Sequence, residues 1–532
     1  MHVSGCLIDD NSYQIPGDEN GTEGGTELAS SGTEGGTELA SSGRKLASSG
    51  TELASSGTEG GTELASSGTE GGTELASSGT EGGTELASSG TEGGLKWNRT
   101  GLKWNRVSAE ATGKRDPLSF ITEQHVKSAL RKDKGDEAQL LTWNINNFTE
   151  KGDNVATVVT SVVVHYHLGS ETHQTSYIIK LNPCITAAAF SDSFMNMVFE
   201  KEVNFYEEIL PDLNHMLKNA GEESLRMPEL FHSSLEENNE LLFLNDLRQK
   251  GFVMVDRYKG QDEAHVRLAL KELSRLHASS ILLQAKAPDT NLTEKYPSLD
   301  KDWLNCSEEE EKEKLHHMFS GSFDNAIVTL KGCERHAAAA WVEKIRSNIV
   351  DLFQEQLTKI PPFEVICHGD FWNNNMLFRY NEVGDPLEVM IVDNQVTRVA
   401  SLATDLVYFL YTSIRGDIRR ANLQEFLGVY YNTFSSVIEA GGVAVPFTLS
   451  QLKQEFRKRM MYGLLFCCIA IPFYLGKDVE IPSQEELLSE NTKEKMEKWR
   501  QNLKQKSLRD SPTLKNFFLA SVDDMLEAGV IS

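Results

Sequence analysis

Val365-Ile366-Cys367-His368-Gly369-Asp370-Phe371-Trp372-Asn373-Asn374-Asn375, with Met390-Ile391-Val392-Asp393 downstream, is the stretch of this chain whose reading decides the fold. Each piece is an apolar run of strand character that delivers polar residues at its end. The first gives His368-x-Asp370 with Asn375 five residues after the aspartate, and the second ends in Asp393, 23 residues after Asp370. Phosphoryl transfer asks little covalent chemistry of a protein. It needs one carboxylate at the acceptor hydroxyl and a second carboxylate with an amide oxygen on Mg²⁺. H-x-D-x-x-x-x-N followed by D supplies that set: Asp370 reads as the group that accepts or orients the hydroxyl proton, Asn375 and Asp393 as Mg²⁺ ligands. The plainer reading, a His and two Asp in turns of an ordinary α/β domain, fits the spacing and strand context less well. His368 suits a loop-fixing hydrogen bond to backbone better than proton transfer. Asp405, in Ala403-Thr404-Asp405-Leu406, reads as a tie between a helix start and this loop.

Working upstream, the pieces an ATP site requires lie in order. Gly152-Asp153-Asn154 opens a hairpin between Val-rich strands, where backbone amides can lie over phosphates; an ordinary turn is the equal alternative. Lys180 closes the apolar run Ser176-Tyr177-Ile178-Ile179-Lys180, where an ammonium reaches the α/β-phosphates and is held by a helix glutamate. Glu202, in Phe199-Glu200-Lys201-Glu202-Val203, is the candidate partner, with Glu200 competing. Leu242-Phe243-Leu244-Asn245-Asp246-Leu247 has the character of a hinge between lobes, where backbone groups recognise adenine, so Asp246 joins the cofactor-binding set. Trp372, Tyr408, Phe409 and Tyr411 are candidates for an acceptor pocket, although aromatics at helical spacing more often belong to a core.

Coarse patterning agrees. A short helix over 120–130, strands at 140–143, 155–167 and 176–181, a helix over 194–210, strands at 227–232 and 240–244 and a long helix over 263–284 precede the site. Helical pattern follows it at 402–412, 423–439, 449–473 and 485–505. The fold class expected is α+β: a small β-rich lobe (116–247 with the hinge), then a large helical lobe (248–532). Residues 21–94 repeat Gly-Thr-Glu-Gly-Gly-Thr-Glu-Leu-Ala-Ser-Ser at an 11-residue period. One Leu and about three Gly per repeat build neither a coiled-coil stripe nor a stable helix, so 1–115 reads as a disordered low-complexity tail.

The chain of 532 residues carries a net charge of −26, of which residues 1–100 account for nearly half, with 16 Asp/Glu against 4 Lys/Arg. What remains is a mildly acidic domain, ill suited to nucleic acid or anionic membranes. Seven Cys at scattered spacings suggest neither a zinc site nor a disulfide framework, and a reducing, cytoplasmic setting fits. Met460 to Leu475, about 16 residues and carrying Pro472, is short of the roughly 20 a membrane span needs and reads as a buried helix.

At these residues the chain resembles the ecdysteroid kinase-like (choline kinase-like) group of the protein-kinase-like superfamily. The matching stretches are Gly152-Asp153-Asn154, 176–180, 199–206, 243–247, Leu273-Ser-Arg-Leu-His-Ala278, 368–378, 391–395 and 405–410. The resemblance implies a two-lobed kinase fold and ATP-dependent phosphorylation of a small-molecule alcohol, an ecdysteroid or a xenobiotic alcohol. It carries over Asp370 as the catalytic aspartate, Asn375 and Asp393 as metal ligands, and Lys180 with Glu202 as the phosphate anchor. Two departures stand out: the usual Asp-Phe-Gln is Asp393-Asn394-Gln395, and the usual Glu-Asp-Leu is Asn245-Asp246-Leu247. The first exchanges a packing aromatic for a polar amide beside a metal ligand, which is expected to loosen Asp393. A catalytically weak, kinase-like binding protein is the alternative. A protein kinase is disfavoured because no Asp-Phe-Gly or Ala-Pro-Glu follows.

Overall fold

The computed structural model describes residues 117–146, 157–182, 192–237, 239–305, 308–475, 492–505 and 510–531. The first helix, α1 (Glu123–Lys134), starts at Thr122, whose hydroxyl accepts from the His125 amide. Three strands follow: β1 (Ala138–Asn146), β2 (Val158–Leu168) and β3 (Glu171–Leu181). β2 and β3 form an antiparallel hairpin from Val158 opposite Leu181 to Leu168 opposite Glu171. Its two-residue turn begins with Gly169 at φ +61°, a conformation glycine adopts without penalty.

Helix α2 (Asp192–Asn204) runs through a π-turn at Phe205–Ile209 into α3 (Leu210–Asn219). The sequence pattern ends this helix at 210, before Pro211. The proline is tolerated because it falls in the first turn of α3, where its missing N–H costs nothing. β4 (Leu230–Ser234) and β5 (Leu241–Asn245) complete an antiparallel sheet of order β1-β2-β3-β5-β4; β4 starts three residues later than the sequence pattern puts it. Alternation along the strands sorts the two faces. Val162, Val164, Tyr177, Ile179 and Leu181 pack with Val126, Ala129 and Leu130 of α1 in a core of their own. Ile178 and Lys180 therefore face the other way, toward the second lobe.

β6 (Val253–Met254) crosses over to α4 (Glu263–Lys286), whose first turn is capped by the Asp262 carboxylate. Helices α5 (Glu309–Gly332), α6 (His336–Ile345) and α7 (Ile349–Gln356) follow, a region the sequence pattern leaves unread. Then come β7 (Glu364–Cys367), β8 (Met376–Tyr380), β9 (Pro386–Ile391), β10 (Arg398–Ser401), α8 (Leu402–Thr412), α9 (Gly416–Ala440) and α10 (Leu449–Leu475). The site strands sit in two small sheets, β7 paired with β10 and β6-β8-β9 in that order. α9 begins well before residue 423, since Gly416 and Asp417 already form its first turn. A helix at Thr492–Gln505 matches the end of the 485–505 expectation, whose start lies outside the described residues. α4 packs on α9 and α8 on α10, and one large apolar core links both pairs to the site strands. The segment 460–475 is part of this core, and among the described residues no helix is long and apolar enough to cross a membrane.

The architecture is thus α+β and two-lobed, a small antiparallel-sheet lobe followed by a large helical one, all described residues lying within the unit Trp104–Ser532. The repeats at 21–94, Gly152 and Asn154 lie outside the described residues.

Candidate active site

Strand β3 brings Lys180 to the groove between the lobes, and α2 brings Glu202 to meet it. The Lys180 Nζ donates to Glu202 Oε2 at 2.5 Å, and equally to Asp393 Oδ1 at 2.5 Å. Burial works to lower the Lys180 pKa, but the charges of Asp393 and Glu202 overcome it and hold the ammonium above its ordinary range. Removing Lys180 would leave the buried Glu202 carboxylate uncompensated, at a cost of about 3 to 5 kcal/mol. Glu200 is excluded as the partner: it pairs with Lys301 at 2.6 Å on the outer side of the helix. The Lys201 ammonium between them donates to the Lys301 carbonyl, so two successive residues fasten α2 to the segment before α5.

The Asp370 loop is held by Asp405 on one side and by Val392 on the other. The buried Asp405 carboxylate, in the first turn of α8, accepts from the His368 amide at 2.7 Å and the Gly369 amide at 3.0 Å. His368 Nε2 meets the Val392 carbonyl at 3.0 Å, tying this loop to the strand that ends in Asp393. The Val392 amide in turn donates to the Asn375 carbonyl at 3.0 Å. Gly369 sits at φ +83°, and a Cβ there would lie 2.3 Å from the Val396 carbonyl oxygen. No other residue fits the bend between His368 and Asp370. His368 is thus a structural tie, and Asp405 the anchor its sequence position suggested.

Both oxygens of Asp370 are engaged. Tyr408 Oη donates to Oδ1 at 2.6 Å and Asn375 Nδ2 to Oδ2 at 2.9 Å. Burial raises the Asp370 pKa above the usual carboxylate range; the Tyr408 hydrogen bond opposes this, and the Asp393 charge adds to it. Because the Asn375 NH₂ is committed to Asp370, the oxygen donor the amide has left is Oδ1. Asp393 stands at φ +70°, rare for any residue but glycine and best tolerated by Asp and Asn. Its Oδ2 accepts from Gln395 Nε2 at 3.2 Å. A carboxylate and an amide oxygen on adjoining loops are the donors a hard divalent cation takes, so these residues fit Mg²⁺.

Lys180, Asp370, Asn375, Asp393 and Gln395 open into one cleft of about 420 Å³. Its sheet-side wall is Val159, Ile178 and Leu244, its floor Phe252, Leu377 and Val392, and its polar end Lys180, Asp370, Asn375 and Asp393. Asp246 lies at the other end, where its carboxylate accepts from Ser176 Oγ at 2.5 Å and from Arg248 Nη2 at 2.7 Å. Its side chain thus ties the end of β5 to β3, and burial notwithstanding, these bonds keep its pKa below the usual value.

Of the four aromatic pocket candidates, Trp372 lines the cleft and Tyr408 bonds Asp370. Phe409 and Tyr411 are core residues: Phe409 packs edge-on to Phe371, and Tyr411 lies between Phe456 and the Arg419 guanidinium. Asn394 is fully buried, its Nδ2 donating to Tyr206 Oη at 3.2 Å while Oδ1 has no partner. The Asn394 amide beside Asp393 is therefore fastened at one end to the π-turn. His277, Cys367 and Asp405 also cluster within 4.8 Å, but His277 is consumed by Tyr430 and Asp405, and Asp405 by the loop amides.

A sheet lobe, a helical lobe and a lysine–glutamate pair at the groove between them place this structure in the protein-kinase-like class of folds. Within that class the chain belongs to the ecdysteroid kinase-like family, whose model matches residues 151–442. A kinase-like protein of Caenorhabditis elegans is 31% identical over 110 residues, which are 21% of this chain and 27% of that protein. The match thus spans about a quarter of that relative's length. Among solved structures, an ethanolamine kinase from Plasmodium vivax aligns with 12% identity over 74% of this chain and 84% of its own, at a TM-score of 0.32. A microcompartment-associated aminopropanol kinase aligns with 10% identity over 72% of this chain and 95% of its own, at a TM-score of 0.29.

Proposed function

We propose that this protein is an ATP-dependent small-molecule kinase that transfers the γ-phosphoryl group to a hydroxyl of a small acceptor, an ecdysteroid-like or xenobiotic alcohol. The observation that carries the reading is Lys180, held at 2.5 Å by both Glu202 and Asp393 in the cleft that also contains Asp370. Lys180, kept in place by Glu202, binds the α/β-phosphates, and backbone groups around Asp246 receive adenine. Gly152 and Asn154, outside the described residues, keep their assignment to phosphate binding on sequence alone. Asn375 and Asp393 would hold Mg²⁺, which would supply neutralisation of the phosphate charge.

Asp370 takes the proton of the acceptor hydroxyl as that oxygen bonds to the γ-phosphorus and the bond to the β–γ bridging oxygen breaks, releasing ADP. A carboxylate whose pKa stands above the usual range is suited to hold that proton. Residues 116–247 and 248–532 are the two catalytic lobes, with 1–115 outside them.

A second reading, a kinase-like binding protein of weak or no activity, is favoured by the orphaned Asn394 oxygen beside Asp393. Both are tested by incubating the full chain with ATP, Mg²⁺ and a panel of sterols, amino-alcohols and xenobiotic alcohols, and following phosphorylated product. Product from at least one acceptor supports the kinase. ATP binding with no product from any acceptor and no ATP hydrolysis supports the binding protein.

A further inference from the structure

We propose that Tyr408 is a positioning residue that aims the Asp370 carboxylate at the acceptor hydroxyl, an inference that rests on the kinase reading above. Tyr408 and Asp405 are three residues apart on α8, so they share one face of that helix. This face grips the Asp370 loop twice. Asp405 holds the backbone of His368 and Gly369, and Tyr408 holds the side chain of Asp370, by the short bond to Oδ1.

The hydroxyl is a firm donor: burial and the neighbouring Asp370 charge keep it protonated well above its ordinary range. The ring is buried and packs with its centroid 4.4 Å from that of the Phe466 ring, which restrains it. With Asn375 Nδ2 on Oδ2, the carboxylate plane is fixed from both sides. Each oxygen retains one lone pair, and rotation about the Asp370 side chain, which would turn those lone pairs off the acceptor oxygen, requires breaking the Tyr408 bond. Tolerance for such misalignment is small, because proton transfer in the transition state depends on near-attack geometry. A tyrosine that only filled the core would need a polar partner for its hydroxyl, but not the one carboxylate the reaction uses.

The experiment is a double-mutant cycle in the full chain with Y408F, D370A and the double variant. Turnover is read as Mg²⁺-dependent phosphate release from ATP, water being the acceptor, and as transfer to ecdysone. Phenylalanine keeps the ring packing and deletes only the donor. Y408F is expected to lower kcat about 10- to 100-fold, the scale of a lost hydrogen bond to a charged group, with KM for ATP changed less than about twofold. In the D370A background the same substitution is expected to change turnover less than about twofold, since there is no carboxylate left to aim. An undiminished kcat in Y408F would overturn the inference, as would an equal loss in the D370A background, which is how a general disturbance of the fold would present. Turnover that D370A does not reduce would instead overturn the kinase reading itself.

Discussion

Replacing Asp405 by asparagine tests how the Asp370 loop is held, because the side chain keeps its size and loses only its charge and one acceptor. The carboxylate is 1% exposed and accepts from the amides of His368 and Gly369 and from His277 Nε2 at 3.2 Å. An asparagine amide turns its NH₂ toward one of the backbone N–H groups, so one buried donor is orphaned. The others lose a charge-assisted partner. Orphaning a donor costs about 1 to 3 kcal/mol, and exchanging a charged for a neutral acceptor about 1 kcal/mol per bond, for roughly 3 to 5 kcal/mol in all. Urea unfolding at pH 7, compared by midpoint at constant slope, measures it.

The pH dependence has a definite sign. Burial works to raise the Asp405 pKa, but the His277 hydrogen bond and charge and the loop amides outweigh it, so the folded value lies below the usual one. A depressed carboxylate contributes stability that is complete above its unfolded pKa, about 3.9, and is lost as pH falls through the folded value. The gap between parent and D405N is therefore constant from about pH 5 to 8 and narrows below about pH 4. A gap under about 0.5 kcal/mol at pH 7, or one that widens on acidification, refutes the anchoring role.

Other consequences follow. E202Q is expected to raise the KM for ATP at least tenfold by leaving Lys180 with one partner, whereas E200Q, which loses only an exposed pair with Lys301, changes it less than about twofold; titration of initial rates separates them. G369A forces a Cβ against the Val396 carbonyl at a positive φ, and thermal melting is expected to show a loss of several degrees together with lost turnover. Y206F removes the side-chain partner of Asn394 and is expected to destabilise by about 1 to 2 kcal/mol in urea, with a larger requirement for Mg²⁺ in turnover. Deleting residues 1–115 is expected to leave the melting temperature and turnover unchanged; a drop of several degrees would mean that the tail docks on the lobes.

How far the site was legible depends on how local its causes are. His368, Asp370 and Asn375 lie in one loop, so their spacing marked them as candidates, while Gly369 passed unremarked; Lys180 was marked by closing an apolar strand. The choice between Glu202 and Glu200 was not decidable from helix period, because Glu200's partner Lys301 lies 101 residues away in sequence. Tyr408, Phe409 and Tyr411 looked alike in sequence, and only the docking of α8 on β7 and α10 determines which one meets Asp370. Helices α5 to α7 escaped because none begins with a side-chain cap. β8 and β10, of five and four residues, are set by tertiary pairing rather than by pattern. The π-turn at Phe205–Ile209 carried the α2 helix past the proline that seemed to end it.

The central claim is that Asp370 and Asp393 divide the chemistry between them, one serving the acceptor and the other the metal. Calorimetric titration of ATP with and without Mg²⁺ into parent, D370A and D393A, paired with turnover of each, addresses it directly. The account predicts that D370A binds Mg²⁺-ATP as the parent does while turning over about 10² to 10⁴ times more slowly. D393A is predicted to lose the Mg²⁺-dependent part of ATP affinity along with turnover. Identical behaviour of the two variants, or a parent whose ATP affinity is indifferent to Mg²⁺, would contradict it.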